Sequence, residues 1–183
     1  MDESVGSRLR QLRNDRSVSL SQLSRLSGVG KGTISELEND RRGARLDTLF
    51  ALTTALNAPL GALLSGHGTA GDQSIAGASV TAVFLGRWTV GTGLVEFYRA
   101  TLAASRQRSH SHAVGVEETV TVVQGRVLVG PAGAERELGE GESLRYPGDV
   151  PHQFEALDDA AEIVLLMHYP DHTTSDEGSA HHD

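Results

Sequence analysis

The stretch LSQLSRLSGVGKGTISELEN, residues 20–39, decides the architecture of the N-terminal part of the chain. Leucine and isoleucine recur at helical spacing on both sides of the short break Gly28-Val29-Gly30. Ser19, with Gln22 three residues later, has the pattern of a capping box at the start of a helix. The stretch therefore predicts two short helices joined by a tight glycine-containing turn, which is the pattern of a helix-turn-helix unit.

Outward from this stretch, the sequence divides into four parts. Residues 5–65 keep the helical spacing, with short breaks between five predicted helices. Residues 66–79 are rich in Gly, Ala and Ser and predict a flexible linker. Residues 80–169 contain short β-branched and aromatic runs separated by Gly, Pro and Asp, which predicts an all-β sandwich or barrel. Residues 170–183 are polar and predict a disordered tail.

Over residues 5–64 the chain resembles the Cro/C1-type helix-turn-helix domain, also called the XRE family. The resemblance rests on RLRQLRNDRSVSLSQLSRLSGVGKGTISELEND followed by LDTLFALTTALNAPLGALL, which together match the five-helix pattern of that family. The family implies double-stranded operator DNA as the partner and an internal ion pair between Arg13 and Glu38. It usually carries Ser or Thr where Gly30 stands, so the cap of the third helix departs from the pattern.

The residues that would contact DNA begin at the start of the third helix. Because Ile34 and Leu37 bury one face, the opposite face meets base edges in the major groove. Lys31 can donate to guanine and Glu36 can accept from cytosine, and Gly32 departs from the usual polar residue. The resemblance places base contacts at Lys31, Gly32 and Glu36. The candidates for phosphate contact are Ser21, Thr33, Asn39, Arg41, Arg42 and Arg45.

A second motif, RSHSHAVGVEE at residues 108–118, brings histidines and carboxylates together. Residues two apart on a strand face the same way, so His110 and His112 are expected to point to one side together. The parity of the following strand places Glu118 inside with Val120 and Val122. His152 follows a Gly–Pro turn, and these four residues predict a nitrogen and oxygen site for a divalent transition metal.

About residues 80–169 resemble the cupin family, whose jelly-roll barrel has two sequence motifs. The first is matched by His110, His112, a glutamate and Gly125, and the second by Gly141, Pro147 and His152. Glu118 stands at the family's distance from Gly125, whereas Glu117 has the family's gap from His112. Strand parity favours Glu118, and Glu117 stays open as the alternative. For such a donor set the candidate metals are Zn, Ni, Mn and Fe.

The two parts together resemble bacterial transcription regulators in which the first domain binds DNA and the barrel senses a small molecule or helps to dimerise. We expect a homodimer, since helix-turn-helix proteins usually bind two half-sites. The alternative is an enzyme of the non-heme iron oxygenase or epoxidase kind that keeps a helix-turn-helix domain, with two histidines and a carboxylate as ligands. A metal-free barrel used only for dimerisation is the third interpretation.

The composition of the 183 residues agrees with a DNA-binding protein despite a net charge of −8. Residues 1–66 carry +2 and residues 67–183 carry −10, so a basic face remains available to the first domain. The absence of cysteine excludes disulfides and thiolate sites. No apolar run reaches the ~20 residues of a membrane span, and no basic-then-apolar leader begins the chain. We therefore expect a cytoplasmic protein with no membrane partner.

Overall fold

The computed structural model describes residues 4–64 and 74–170. Five helices come first: α1 (Val5–Asp15), α2 (Leu20–Ser27), α3 (Lys31–Glu38), α4 (Leu46–Ala55) and α5 (Gly61–Leu64). Ten strands follow: β1 (Ser74–Ala76), β2 (Val80–Val90), β3 (Gly93–Ala103), β4 (Gln107–Ser109), β5 (Glu117–Gln124), β6 (Val127–Pro131), β7 (Arg136–Leu138), β8 (Ser143–Pro147), β9 (His152–Ala156) and β10 (Ala160–Tyr169). Within the described residues no helix is both long and apolar enough to cross a bilayer.

The helix-turn-helix unit forms by the local rules that the sequence indicates. Ser19 and Gln22 make the capping box at the start of α2, with Ser19 N donating to Gln22 Oε1 at 2.8 Å. Gly28 ends α2 in the left-handed region at φ 72°, where a side chain would be strained. Gly30 occupies the N-cap of α3 without a side-chain cap. The turn between α2 and α3 is therefore fixed mainly by glycine and by the core beneath it.

The predicted ion pair between Arg13 and Glu38 is confirmed. Arg13 Nε donates to Glu38 Oε1 at 2.6 Å and Arg13 Nη2 donates to Glu38 Oε2 at 2.9 Å. Only 3% of the Glu38 side chain is exposed. The pair joins α1 to the end of α3 and thereby holds the recognition helix against the rest of the domain.

The β part consists of two antiparallel sheets that share one core. The larger has the order β1-β2-β3-β10-β5-β8, and the smaller has the order β4-β9-β6-β7. On β5, Glu118, Val120 and Val122 are buried while Glu117, Thr119 and Thr121 are only half-buried, as the parity of the strand predicts. The five helices followed by this jelly-roll barrel confirm the predicted fold class.

The structure changes the prediction for the linker, whereas almost all of the predicted tail lies outside the described residues. The interval 66–79, predicted as a linker, contains strand β1 at Ser74–Ala76, which pairs with β2, so the barrel begins before residue 80. Residues 66–73 lie outside the described residues, as does the predicted tail from residue 171 onwards.

The helices do not stand apart from the barrel, because apolar residues of both parts belong to one continuous core. Gly61 at the start of α5 donates its backbone N–H to Glu96 Oε1 of β3 at 2.9 Å. Tyr98 donates to the other oxygen of Glu96 at 2.6 Å. A Cβ at Gly61 would collide with Glu96, so glycine is required where α5 meets the barrel. Burial outweighs these hydrogen bonds and raises the pKa of Glu96.

Candidate functional site

Helix α3 presents the face that the sequence assigns to DNA. Ile34 and Leu37 are buried against the helical core, which leaves Lys31, Gly32 and Glu36 exposed on the outer face. A Cβ placed on Gly32 would meet no heavy atom within 4 Å, so its backbone is open to a partner. Thr33 is half-buried. The geometry leaves the first turn of α3 free to enter a groove.

The remaining DNA-contact candidates are all exposed, although several already have partners. Arg42 lies 3.5 Å from Glu36, so Glu36 would have to give up this exposed ion pair to accept from a base. Asn39 donates to the carbonyl of Ser35 at 2.7 Å and accepts from Arg10 Nη2 at 2.6 Å. Arg45 lies 3.9 Å from Asp47. Ser21 and Arg41 are exposed as well.

In the barrel, three of the four predicted metal ligands come together. One ligand atom from each of His112, Glu118 and His152 lies within 4.8 Å of the others. His112 Nε2 is 2.9 Å from Glu118 Oε1, and His152 Nε2 is 3.4 Å from the same oxygen. The exposed fractions of the three side chains are 4%, 1% and 0%. Glu118 thus lies between two imidazoles in a space closed to solvent.

The prediction that His110 faces the same way as His112 is wrong. Strand β4 ends at Ser109, so both histidines lie in the following loop, where the two-residue alternation of a strand does not apply. His110 is exposed, whereas His112 turns inward and its backbone N–H donates to the carbonyl of Gly148 at 2.9 Å. His110 therefore stands outside the cluster.

Between the two glutamates, the structure places Glu118 in the cluster. Glu117 points to the outer surface, where Arg145 donates to it. Gly148 packs directly on the cluster, since a Cβ there would lie 3.2 Å from Glu118 Cγ and 3.3 Å from His112 Cδ2. The sequence Pro147-Gly148-Asp149 therefore suits this turn, because a larger residue than glycine would press on two of the three side chains.

The charges in the cluster are set by burial and by mutual attraction. Burial alone would raise the pKa of Glu118, but His152 and His112 outweigh it and hold that pKa well below its usual range. Burial likewise lowers the pKa of His152, and the Glu118 carboxylate more than offsets this, so the pKa is raised. The cluster therefore favours an ionised Glu118 with a positive charge, from a proton or a metal cation, beside it.

Comparison with known proteins agrees with both halves of the architecture. Residues 9–63 match the helix-turn-helix family, and residues 99–169 match the cupin domain family. The chain is 28% identical over 165 residues to the HTH-type transcriptional regulator SutR of Escherichia coli K12, covering 88% of this chain and 93% of that protein. The chain therefore combines a helix-turn-helix domain with a cupin domain. The crystal structure of an HTH_3 family transcriptional regulator from Vibrio cholerae is 26% identical, with a TM-score of 0.81 over 91% of this chain and 95% of that one.

The donor set of this cupin domain fits a divalent metal. His152 Nδ1 lies 2.8 Å from the carbonyl of Val150, which leaves Nε2 to face the cluster. His152 Nε2 is buried and has no hydrogen-bond partner among the described residues, and its neighbour at 3.4 Å is a carboxylate oxygen. A nitrogen lone pair and a carboxylate repel each other unless a proton or a metal cation lies between them. His112, Glu118 and His152 would hold such a cation, which would supply a Lewis acid to a bound molecule.

Two residues around the cupin cluster were not among the predicted site residues. Tyr146 lies opposite Glu118 across the pairing of β5 with β8 and donates to Glu118 Oε2 at 2.5 Å. Phe50 of α4 packs on the His112 ring, with centroids 4.8 Å apart. Alternation within SLRYP could have placed Tyr146 inside, but not opposite Glu118. Nothing in the helical sequence indicates that Phe50 would reach the barrel.

Proposed function

We propose that this DNA-binding transcriptional regulator uses its cupin domain to sense a small molecule with the help of a divalent metal. The observation that carries the proposal is the enclosed cluster of His112, Glu118 and His152 at the end of an apolar cavity. Most of the cavity wall is apolar, with aliphatic side chains that include Val80, Ala82, Ala100, Leu102, Ile163 and Leu165. A mostly apolar molecule with one metal-binding oxygen group suits such a lining. We infer that the protein works in the cytoplasm, where its DNA would lie.

DNA binding at α3 is testable through Lys31. We expect Lys31→Ala to weaken binding to the preferred operator by about 1–3 kcal/mol, because one base contact is lost, and to relax base choice at one position. The operator would first be selected from a random pool of duplexes, and affinities would then be measured by fluorescence anisotropy at fixed salt. Arg41→Ala is the matched control, since a lost phosphate contact should weaken all duplexes alike. Equal losses for Lys31→Ala on selected and scrambled duplexes would contradict the base contact.

We propose that the regulator binds as a homodimer that uses the free edge of β2. Strand β1 pairs only with residues 81–83, and in the described part of the chain no other strand pairs with the outer edge of β2 beyond them. Trp88 and Val90 on this segment are 47% and 52% exposed, which is a large exposed fraction for apolar side chains. An edge of this kind is a template for pairing with a second copy.

Trp88→Glu is expected to shift the protein from dimer to monomer, because a charge would be buried against the second copy. Sedimentation equilibrium at several concentrations would measure the change. Val123→Glu is the control, since Val123 is 50% exposed on β5, away from this edge. A dimer that is equally stable in both variants would place the interface elsewhere.

A second candidate function is iron-dependent oxidation, because two histidines and one carboxylate are also the ligands of non-heme iron oxygenases. The exposed DNA-contact face of α3 favours the regulator. Plasma mass spectrometry of the untagged protein, followed by oxygen-consumption measurements on the iron-loaded form, separates the two functions. Stoichiometric iron that consumes oxygen would support the enzyme, whereas bound metal without oxygen consumption supports the sensor.

A further inference from the structure

Helix α4 belongs to two structures at once. Leu49, Leu52 and Thr53 are buried in the helical core of the DNA-binding domain. Leu46, Asp47 and Phe50, which are three and four residues apart and so share a face, line the cavity of the barrel. The roof of the barrel cavity is therefore part of the DNA-binding domain itself.

Two contacts hold this roof against the barrel. The ring of Phe50 packs on the His112 ring with centroids 4.8 Å apart, which covers the metal-ligand cluster. Gln107 Nε2 of β4 donates to Asp47 Oδ1 at 2.7 Å. The other atom of that amide, Gln107 Oε1, accepts from the backbone N–H groups of Ala78 and Ser79 at 3.0 Å each. Asp47 is thus tied, through one buried amide, to the turn between β1 and β2.

With the roof in place, the cavity is almost full. It leaves about 40 Å³ of free space, enough for about three water molecules. Next to the cavity lies a groove of about 410 Å³, lined by Phe50 and Thr54 of α4, by the loop of residues 108–112 and by Gly28 of the helix-turn-helix turn. Phe50 lines both spaces and therefore stands between the filled cavity and the open groove.

We propose that α4 is a movable roof, and that a ligand larger than a few atoms enters the barrel only when α4 withdraws from the barrel. The inference rests on the proposed sensing function and specifies how it is regulated. An occupied cavity and a docked α4 are alternative states, so ligand binding and domain docking oppose each other by linkage. Because α4 also packs in the core of the DNA-binding domain, its movement would act directly on α2 and on the turn before α3.

An engineered disulfide between α4 and the barrel would hold this roof in place reversibly. An ideal Cβ on Gly77 would lie 3.5 Å from Leu46 Cβ, within the range of Cβ separations in disulfides. The protein has no cysteine of its own, so Leu46→Cys with Gly77→Cys creates a single possible bridge. Oxidation would fasten the start of α4 to the barrel, and reduction of the same sample would release it.

Access to the cavity is measured by the reaction of His152 with diethyl pyrocarbonate, followed by peptide mass spectrometry on metal-free protein at one pH. His152 is fully buried and reacts only when the cavity opens, while exposed His110 is an internal control. We expect oxidation of the engineered cysteine pair to slow the reaction at His152 at least about tenfold and to leave that at His110 unchanged. Equal rates at His152 in the oxidised and reduced forms would overturn the movable roof.

A second pair of variants tests the same roof without a disulfide. Phe50→Ala removes the ring over His112 and is expected to speed the reaction at His152 about tenfold. Thr54→Ala, which changes α4 one turn beyond Phe50 and outside the cavity lining, should leave that rate unchanged, and equal rates in the two variants would also overturn the proposal. No DNA or metal enters these measurements. If the movable roof is contradicted by these measurements, the proposals of DNA binding through α3 and of metal binding are unaffected. If DNA binding or metal binding is contradicted in its own test, the measurement of access to His152 is still valid.

Discussion

Arg13→Ala lowers the free energy of unfolding by about 3 kcal/mol, because it leaves Glu38 as a buried charge without its main partner. The Glu38 side chain is 3% exposed and accepts two hydrogen bonds from Arg13. Arg10 lies 3.6 Å from Glu38 and compensates part of the loss, which places the expected value at the lower end of the range for broken buried pairs. Urea unfolding followed by far-ultraviolet circular dichroism measures the change.

Arg16→Ala is the matched control for this prediction. Arg16 is exposed and makes a single long hydrogen bond to Asn57, so its loss should change the free energy of unfolding by no more than about 0.5 kcal/mol. The double variant Arg13→Met with Glu38→Leu is expected to recover most of the lost stability, because it removes the uncompensated charge. A loss below 1 kcal/mol for Arg13→Ala alone would mean that Glu38 finds water or another partner.

His152→Ala weakens zinc binding by on the order of 100-fold or more, since loss of a direct ligand costs at least as much as loss of a residue that only orients one. His152 supplies one of the two imidazole nitrogens that face Glu118. Isothermal titration calorimetry on chelator-treated protein measures the affinity. Truncation after residue 170 removes His181 and His182 as adventitious ligands.

His110→Ala serves as the control for zinc binding and also separates the sequence motif from the structure. The motif counts His110 as a ligand, whereas the structure leaves it exposed in the loop after β4. We expect His110→Ala to bind zinc as tightly as the unaltered protein. A loss comparable to that of His152→Ala would show that the loop rearranges and brings His110 to the metal.

The sequence by itself determined the features that depend on neighbours along the chain. The capping box at Ser19, the left-handed turn at Gly28 and the exposed first turn of α3 all follow from residues within one or two helical turns. The parity of β5 likewise selected Glu118 over Glu117 for the interior. Such features are set by the fixed periods of helices and strands, so they can be predicted without knowing what packs against them.

Only the tertiary structure decided the features that depend on distant residues. The two-residue alternation failed at His110 because β4 ends one residue before it, and strand ends are set by pairing with β9 rather than by local sequence. The register of β5 against β8 brought Tyr146 to Glu118, and the docking of α4 brought Phe50 to His112. These two contacts join residues that are 28 and 62 positions apart in the chain. The periodicity of a single helix or strand does not specify which apolar faces will pack together. The sequence therefore named most of the site's residues, while packing between the two domains chose which of them meet and what covers them.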